Sequence, residues 1–287
     1  MDQASVNNDA ARLMSKATET GTENRRITRE KSFHDAWAST INLDELLVRE
    51  TFESPTAVEN QYALNLLGNL TGKKILDLGC GAGETSVYFA LLGAETYACD
   101  ISQGFLDVAK KLAEKFNVHI NFSLAEASAL PYPSGYFDCI FGNGILHHVN
   151  LGPAIKETHR VLKKSGTAVF IEPLPYNPII NIYRHMAKGV RTEDEKPLSF
   201  KQLNLFKGSF SSFSHREFWL FSLLIFLHFY LVRRWDPSKV RYWKKVIEEG
   251  PNYEKTFFLL QRIDHFFLKY APFLRPLCWN TVIVANK

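Results

Sequence analysis

The chain has 287 residues, enough for one large domain or two small ones, and a formal charge of +4 from 34 basic and 30 acidic side chains. A charge so nearly balanced creates no demand for nucleic acid. The four cysteines, Cys80, Cys99, Cys139 and Cys278, form no CxxC pair and no metal spacing, so they read as reduced core residues.

Residues 1–28 are rich in Asn, Ser, Thr and charge and read as a flexible segment. The polar run Met1–Asn24 has no apolar core of a signal peptide, which points to the cytoplasm. A short helix with an aromatic face is expected over Arg29–Ala38, either packed on the domain or lying over a ligand as a lid. Ser54-Pro55 has the form of a helix start, with the helix running through Val58, Tyr62, Leu66 and Leu67 to Gly68.

Ile75, Leu76 and Leu78 read as a buried parallel strand interrupted only by Asp77. Gly79, Gly81 and Gly83 follow at alternate positions, then a helix from Glu84 closed by Gly93. Strand, glycine loop and helix together hold a nucleotide-like ligand at the carboxyl edge of an open sheet. Glu95–Cys99 is a second strand ending in Asp100, a carboxylate placed to accept ribose hydroxyls. Ser102–Phe116 reads as a helix and Asn117–Leu124 as the third strand. Pro131 and Pro133 fix a loop before a fourth strand through Cys139, Ile140 and Phe141. A helix over Leu151–Leu162, a turn over Lys163–Gly166 and a fifth strand over Thr167–Ile171, ending at Glu172-Pro173, complete the alternating part.

The remainder is less regular. Pro175–Val190 reads as a helix bearing Tyr183, Arg184 and His185, Arg191–Pro197 as a charged turn, and Ser211–Phe218 as strand six. Trp279–Ala285 suits a last strand, leaving about 60 residues between the two, too many to lack structure of their own. Phe218–Val232 is nearly all apolar. Read as one helix it reaches ~22 Å, short of a ~30 Å hydrocarbon core, so a full membrane span is rejected. A second apolar helix carries Phe257, Phe258, Ile263, Phe266 and Phe267. Two readings compete for this pair: a helical subdomain burying its own core, or a lid over a lipophilic pocket. Arg233, Arg234, Lys239, Arg241, Lys244 and Lys245, with Trp235 and Trp243, add a cationic aromatic flank. That flank suits a weak contact with anionic membrane surfaces through 218–245.

Asp77 stands two residues before Gly79, and the third glycine comes one step earlier than in a dinucleotide fingerprint. This resembles motif I of the class I S-adenosylmethionine-dependent methyltransferases. Ala125–Pro133 with Phe137-Asp138, and Leu146-His147-His148-Val149, resemble the ubiquinone and menaquinone methyltransferase-like branch, called type 11. The resemblance covers roughly Gly72–Pro173. It implies an α/β Rossmann-like methyltransferase fold: a mainly parallel seven-stranded sheet with an antiparallel last strand and a helical C-terminal insertion. It divides the chain into the flexible 1–28, helices at 29–70 covering the cofactor site, a cofactor-binding core at 71–175, a lid region at 176–278 and a last strand at 279–287.

The implied cofactor is S-adenosylmethionine, held by Asp77, Gly79, Cys80, Gly81, Gly83, Asp100 and Ile101. In the resemblance Glu126 stands where the family usually has an Asp that meets the adenine amino group, and the Ala127 N–H meets the ring. The backbone at Asn143 and Gly144 receives the methionine ammonium group. His147 and His148 lie over the sulfonium and are the candidate bases for an oxygen acceptor. As metal ligands they lack a second cluster at sensible spacing, so no metal is expected. The expected function is methyl transfer to a small lipophilic or lipid-linked acceptor through oxygen or carbon. A nicotinamide oxidoreductase would need G-x-G-x-x-G or, in the short-chain class, Tyr-x-x-x-Lys, and the chain has neither. A scaffold that keeps the cofactor without turnover is the other competing reading.

Overall fold

The computed structural model describes residues 25–187 and 196–287. Seven strands form one sheet: β1 (Lys74–Leu78), β2 (Glu95–Asp100), β3 (Ile120–Leu124), β4 (Phe137–Asn143), β5 (Leu162–Pro173), β6 (Ser212–Phe218) and β7 (Asn280–Asn286). Their spatial order is β3-β2-β1-β4-β5-β7-β6. β1 to β5 are mutually parallel, and β7 enters antiparallel between β5 and β6. This is the Rossmann-like methyltransferase sheet expected from the sequence.

The chain leaves β1 toward β2 and β3, then returns to lay β4 on the other side of β1. That reversal opens a crevice beyond the carboxyl ends of β1 and β4, where open α/β sheets bind ligands. Both faces of the sheet are covered, so its strands are apolar on both sides. Ile75, Cys139, Phe141, Val169 and Val282 pack into one layer. Leu76, Leu78, Ile140, Phe170 and Ile283 alternate with them into the other.

The main helices are α1 (helical over 25–38), α2 (Val58–Leu67), α3 (Glu84–Leu91), α4 (Gln103–Lys115), α5 (Leu151–Val161), α6 (Pro178–Met186), α7 (Leu224–Leu231), α8 (Tyr242–Glu248) and α9 (Gly250–Tyr270). Residues 25–28, expected in the flexible segment, are helical, and the rest of that expectation lies outside the described residues. So does most of the charged turn expected at 191–197.

Three local readings are corrected. Ser54-Pro55 does not start a helix. The Ser54 hydroxyl bonds the Ile247 carbonyl at 2.8 Å and that of Thr56 bonds Val246 at 2.6 Å, so this turn anchors α8, and α2 begins after Ala57. Lys163–Gly166 is not a turn outside the strand, because β5 already begins at Leu162 and absorbs the irregularity opposite Phe137 and Cys139. Phe218–Val232 is not one helix: it comprises the end of β6, a turn and the eight residues of α7.

Two features break that run. Trp219 adopts a φ of 70°, a left-handed conformation that no helix continues. Asp264 of α9 then takes the backbone N–H groups of Leu220 (3.1 Å), Phe221 (2.6 Å) and Ser222 (3.3 Å) and the Ser222 hydroxyl (2.6 Å). Among the described residues, no helix is long and apolar enough to cross a membrane.

Asp264 is buried, and burial pushes its pKa up against these four donors. Asp264→Ala would leave them buried without an acceptor. We expect it to destabilise the protein by at least about 1–3 kcal/mol, lowering the thermal midpoint far more than Asp107→Ala on the surface. Thermal melts of the two variants check this.

Candidate active site

The loop after β1 is shaped by its glycines, which have different tasks. A Cβ on Gly79 would meet the Ile145 side chain at 2.7 Å, so only glycine lets this loop lie against the one after β4. Gly81 has open space beside it but a φ of 51°, and its N–H donates to Asp100 Oδ2 at 2.9 Å. Asp100 Oδ1 accepts from the Ser102 N–H at 2.9 Å. The two N–H groups oppose, without cancelling, the rise in the Asp100 pKa caused by burial.

Asp77 is buried at the end of β1 and accepts from the Ser86 hydroxyl of α3 at 2.5 Å. Burial, aided by repulsion from Asp100, pushes its pKa up to about 7 despite that bond. Glu126, beyond β3, accepts from the Ser128 hydroxyl at 2.6 Å.

β4 ends at Asn143, whose side chain reaches Asn60 of α2 at 3.4 Å. Gly144 follows with a φ of 69° and donates to the Ile171 carbonyl at 2.8 Å, turning the chain toward the two histidines. His147 Nδ1 lies 2.7 Å from Oε2 of Glu172, at the end of β5. Glu172 is fully buried; its Oε1 accepts from the N–H groups of Ile145 (3.0 Å) and Leu146 (2.7 Å). Burial pushes the Glu172 pKa up to about 7 against the hydrogen bonds from the Ile145 and Leu146 N–H groups. With Nδ1 held by Glu172, Nε2 is the basic nitrogen.

His148 turns to a different carboxylate. Its Nδ1 is 3.1 Å from Glu30 Oε2, on α1, and its backbone carbonyl accepts from Arg26. α1 is anchored above the site by Asp35, which accepts from the Ser102 hydroxyl at 2.6 Å and the Gly104 N–H at 3.0 Å. The Arg241 guanidinium lies 3.7 Å from the centre of the Trp37 ring.

These parts enclose one cavity of about 410 Å³. Asp77, Gly79, Cys80, Asp100, Ile101, Glu126, Ala127, Asn143, Gly144, His147 and His148 all line it. Gly81 and Gly83 lie outside the lining. Gly83 instead begins α3 with a φ of 89°, where a Cβ would strike Ala109 at 2.7 Å. The same cavity is also lined by Trp37, Trp219, Trp243 and Trp279, with Arg184, Arg241 and Lys244. Sequence reasoning missed Glu172, although a carboxylate closing a buried strand is the signal that marked Asp77 and Asp100. It also missed Glu30, because no spacing rule links α1 to the loop after β4. The expectation that His148 has no metal-ligating partners is corrected: Glu30 and His34 stand beside it.

Residues 76–170 match a family model described as a methyltransferase domain. Demethylmenaquinone methyltransferase of Lactococcus lactis subsp. lactis is 32% identical over 160 residues, covering 54% of this chain and 59% of that protein. The ubiquinone/menaquinone biosynthesis C-methyltransferase UbiE of Pectobacterium atrosepticum is 28% identical over 149 residues, 45% of this chain and 59% of that one. The chain thus spans less than two thirds of the length of these relatives. Among solved structures, the YcgJ protein of Bacillus subtilis superposes with a TM-score of 0.51 at 18% identity, over 79% of this chain and 98% of that one. Geranyl diphosphate C-methyltransferase from Streptomyces coelicolor, solved with Mg²⁺, geranyl diphosphate and S-adenosylhomocysteine, superposes with a TM-score of 0.54 at 16% identity, over 80% and 77%.

The fold is that of the class I S-adenosylmethionine-dependent methyltransferases. Residues 76–170 are similar to the type 11 methyltransferase domain, whose cofactor is S-adenosylmethionine.

The raised carboxyls have a consequence for stability. Asp77 and Glu172 keep their protons in the folded state up to about pH 7. Their ordinary pKa values near 4 apply to the unfolded chain. Between about pH 4 and 7 the folded state therefore binds more protons, and these two groups make stability fall as pH rises through that window. Asp77→Asn should melt above the wild type at pH 8 and close to it at pH 4, as thermal melts across pH would show.

Proposed function

We propose that this chain transfers the methyl group of S-adenosylmethionine to a small aromatic or prenyl-type lipophilic acceptor, through an oxygen or carbon nucleophile. The observation that carries this reading is that one cavity is lined both by buried carboxylates and by four tryptophans and three cations. A carboxylate oxygen has two acceptor lone pairs, so each oxygen of Asp100 can bond a ribose hydroxyl besides its backbone N–H. Asp77, whose proton is held by burial and by repulsion from Asp100, suits the cationic methionine end. The residues present therefore fit the cofactor.

When bound, S-adenosylmethionine supplies an activated methyl group on sulfur. The protein's tasks are positioning and exclusion of water. Asp100 and Glu126 orient the nucleoside, Asp77 and the Asn143-Gly144 backbone hold the amino-acid end, and α1 covers the site. For a hydroxyl acceptor, His147 takes the proton at Nε2 and Glu172 stabilises the resulting imidazolium. Of the two histidines we take His147 as the base, since Glu172 holds its Nδ1 while His148 is drawn to Glu30 on the covering helix.

The tryptophan walls suit a flat or prenylated acceptor, and Arg184, Arg241 and Lys244 suit an anionic group on it. The printed names of the relatives, which concern demethylmenaquinone and ubiquinone/menaquinone biosynthesis, favour a quinone-type ring. A membrane contact is better supported on α9 than at 218–245. Phe226 and Phe229 of α7 are core residues, and Arg233 pairs with Glu249 at 3.7 Å. By contrast Leu259, Phe266 and Tyr270 form an exposed stripe along α9, 58%, 57% and 66% accessible, extended by Phe273 at 78%.

Four outcomes test the reading. Asp100→Ala should weaken S-adenosylhomocysteine binding in calorimetry by about 1.5–3 kcal/mol per lost hydrogen bond while the protein stays folded. His147→Ala should lower kcat about 10²–10⁴-fold on a hydroxyl acceptor with cofactor affinity nearly unchanged, and unaltered turnover would leave it a packing role. Labelled methyl transfer into a lipid extract should mark a lipophilic product, and co-sedimentation with anionic liposomes should fall in Phe266→Glu/Tyr270→Glu. Transfer only to small water-soluble acceptors would defeat the lipophilic assignment.

A further inference from the structure

Glu30 and His34 stand one turn apart on α1, so both side chains project from the same face of that helix. The fold brings His148 up to them from the loop after β4. Glu30 Oε2 lies 3.1 Å from His148 Nδ1 and 3.3 Å from His34 Nε2. The three donor atoms fall within 4.8 Å of one another. The Glu30 side chain is 1% exposed, and the two imidazoles are 16% and 14% exposed. All three residues line the cavity.

We propose that Glu30, His34 and His148 form a binding site for a divalent transition-metal cation of the zinc type, at the wall of the cavity. Donors held about 2.0–2.1 Å from one tetrahedral ion stand roughly 3.3 Å apart, close to the separations found here. Both imidazoles converge on the same carboxylate oxygen. Two imidazoles and one carboxylate select Zn²⁺ or Co²⁺ over Mg²⁺ or Ca²⁺. Three protein ligands with a fourth position left to water or substrate is the arrangement of a catalytic rather than a structural zinc site.

The site has two consequences. It ties α1 to the loop that carries His147, so the cover over the cofactor half closes on a metal bond. It also places a Lewis acid where it would lower the pKa of an acceptor hydroxyl, a role that rests on the methyl-transfer reading. Metal binding itself does not depend on that reading.

The test uses untagged full-length protein stripped with a chelator. It is titrated with Zn²⁺ by calorimetry and with Co²⁺ by visible absorption. The proposal expects saturation at a single equivalent, with the intense visible bands of four-coordinate Co²⁺. Glu30→Gln and His34→Ala should each lose at least about 10–100-fold in affinity, the range that even outer-shell partners command. Circular dichroism confirms that the variants are folded, and the near-isosteric Glu30→Gln carries the test if His34→Ala is not. Absence of saturable binding, or affinity unchanged in both variants, would overturn the site and leave a carboxylate clamped between two histidines. S-adenosylhomocysteine binding is measured on the same samples. Wild type that binds the cofactor product without metal defeats this inference alone. Wild type that binds metal without the product upholds the site and defeats the function proposed above.

Discussion

The structure depends on keeping carboxylates buried at the carboxyl edge of its sheet. Asp77, Asp100 and Glu172 close β1, β2 and β5 around the crevice where the strand order reverses, and each is nearly inaccessible. Burying a charge is costly unless donors surround it. The surrounding loops take the shapes that supply those donors. Gly81 turns left-handed and gives its N–H to Asp100. Ile145 and Leu146 aim their N–H groups at Glu172, and the turn that does this delivers His147 to the same carboxylate. The geometry of the site is thus a by-product of satisfying its own anions, and what stays unsatisfied is the preference for a cation.

The second half of the cavity is bound to the first through α2. Glu59, buried on that helix, accepts from the Trp219 indole at 2.7 Å and from Asn280 at 3.0 Å, joining the end of β6 to the start of β7. Asn60, its neighbour, meets Asn143 of the cofactor half. One helix therefore touches both the wall of the acceptor chamber and the strand end beneath the cofactor.

Much of the core was legible because its signals are local. An apolar strand, spaced glycines and a following amphipathic helix lie within a few dozen residues, and a lone carboxylate at the end of a buried strand stands out against them. Asp77 and Asp100 are legible this way, and the mainly parallel seven-stranded sheet with its antiparallel last strand follows from the resemblance. What failed was decided at a distance. The run from Phe218 to Val232 is hydrophobic enough for one helix, yet Asp264, far along the chain, captures the N–H groups at its middle. Ser54-Pro55 has the form of a helix cap, but the Ser54 hydroxyl is taken by α8. Likewise neither the pairing of His147 with Glu172 nor that of His148 with Glu30 has a sequence periodicity to announce it.

The account turns on Asp77 and Asp100 being the polar floor of a site for a cationic nucleoside-linked amino acid. The direct measurement is calorimetric titration with S-adenosylhomocysteine across pH, in buffers of different ionisation enthalpy. A ligand ammonium beside Asp77 favours its ionised form, whereas the free protein holds the proton up to about pH 7. Binding should therefore release a proton below that pH, and affinity should rise with pH and level off above it. An affinity that does not vary with pH, with no proton released, would contradict the placement of the ligand over these carboxylates.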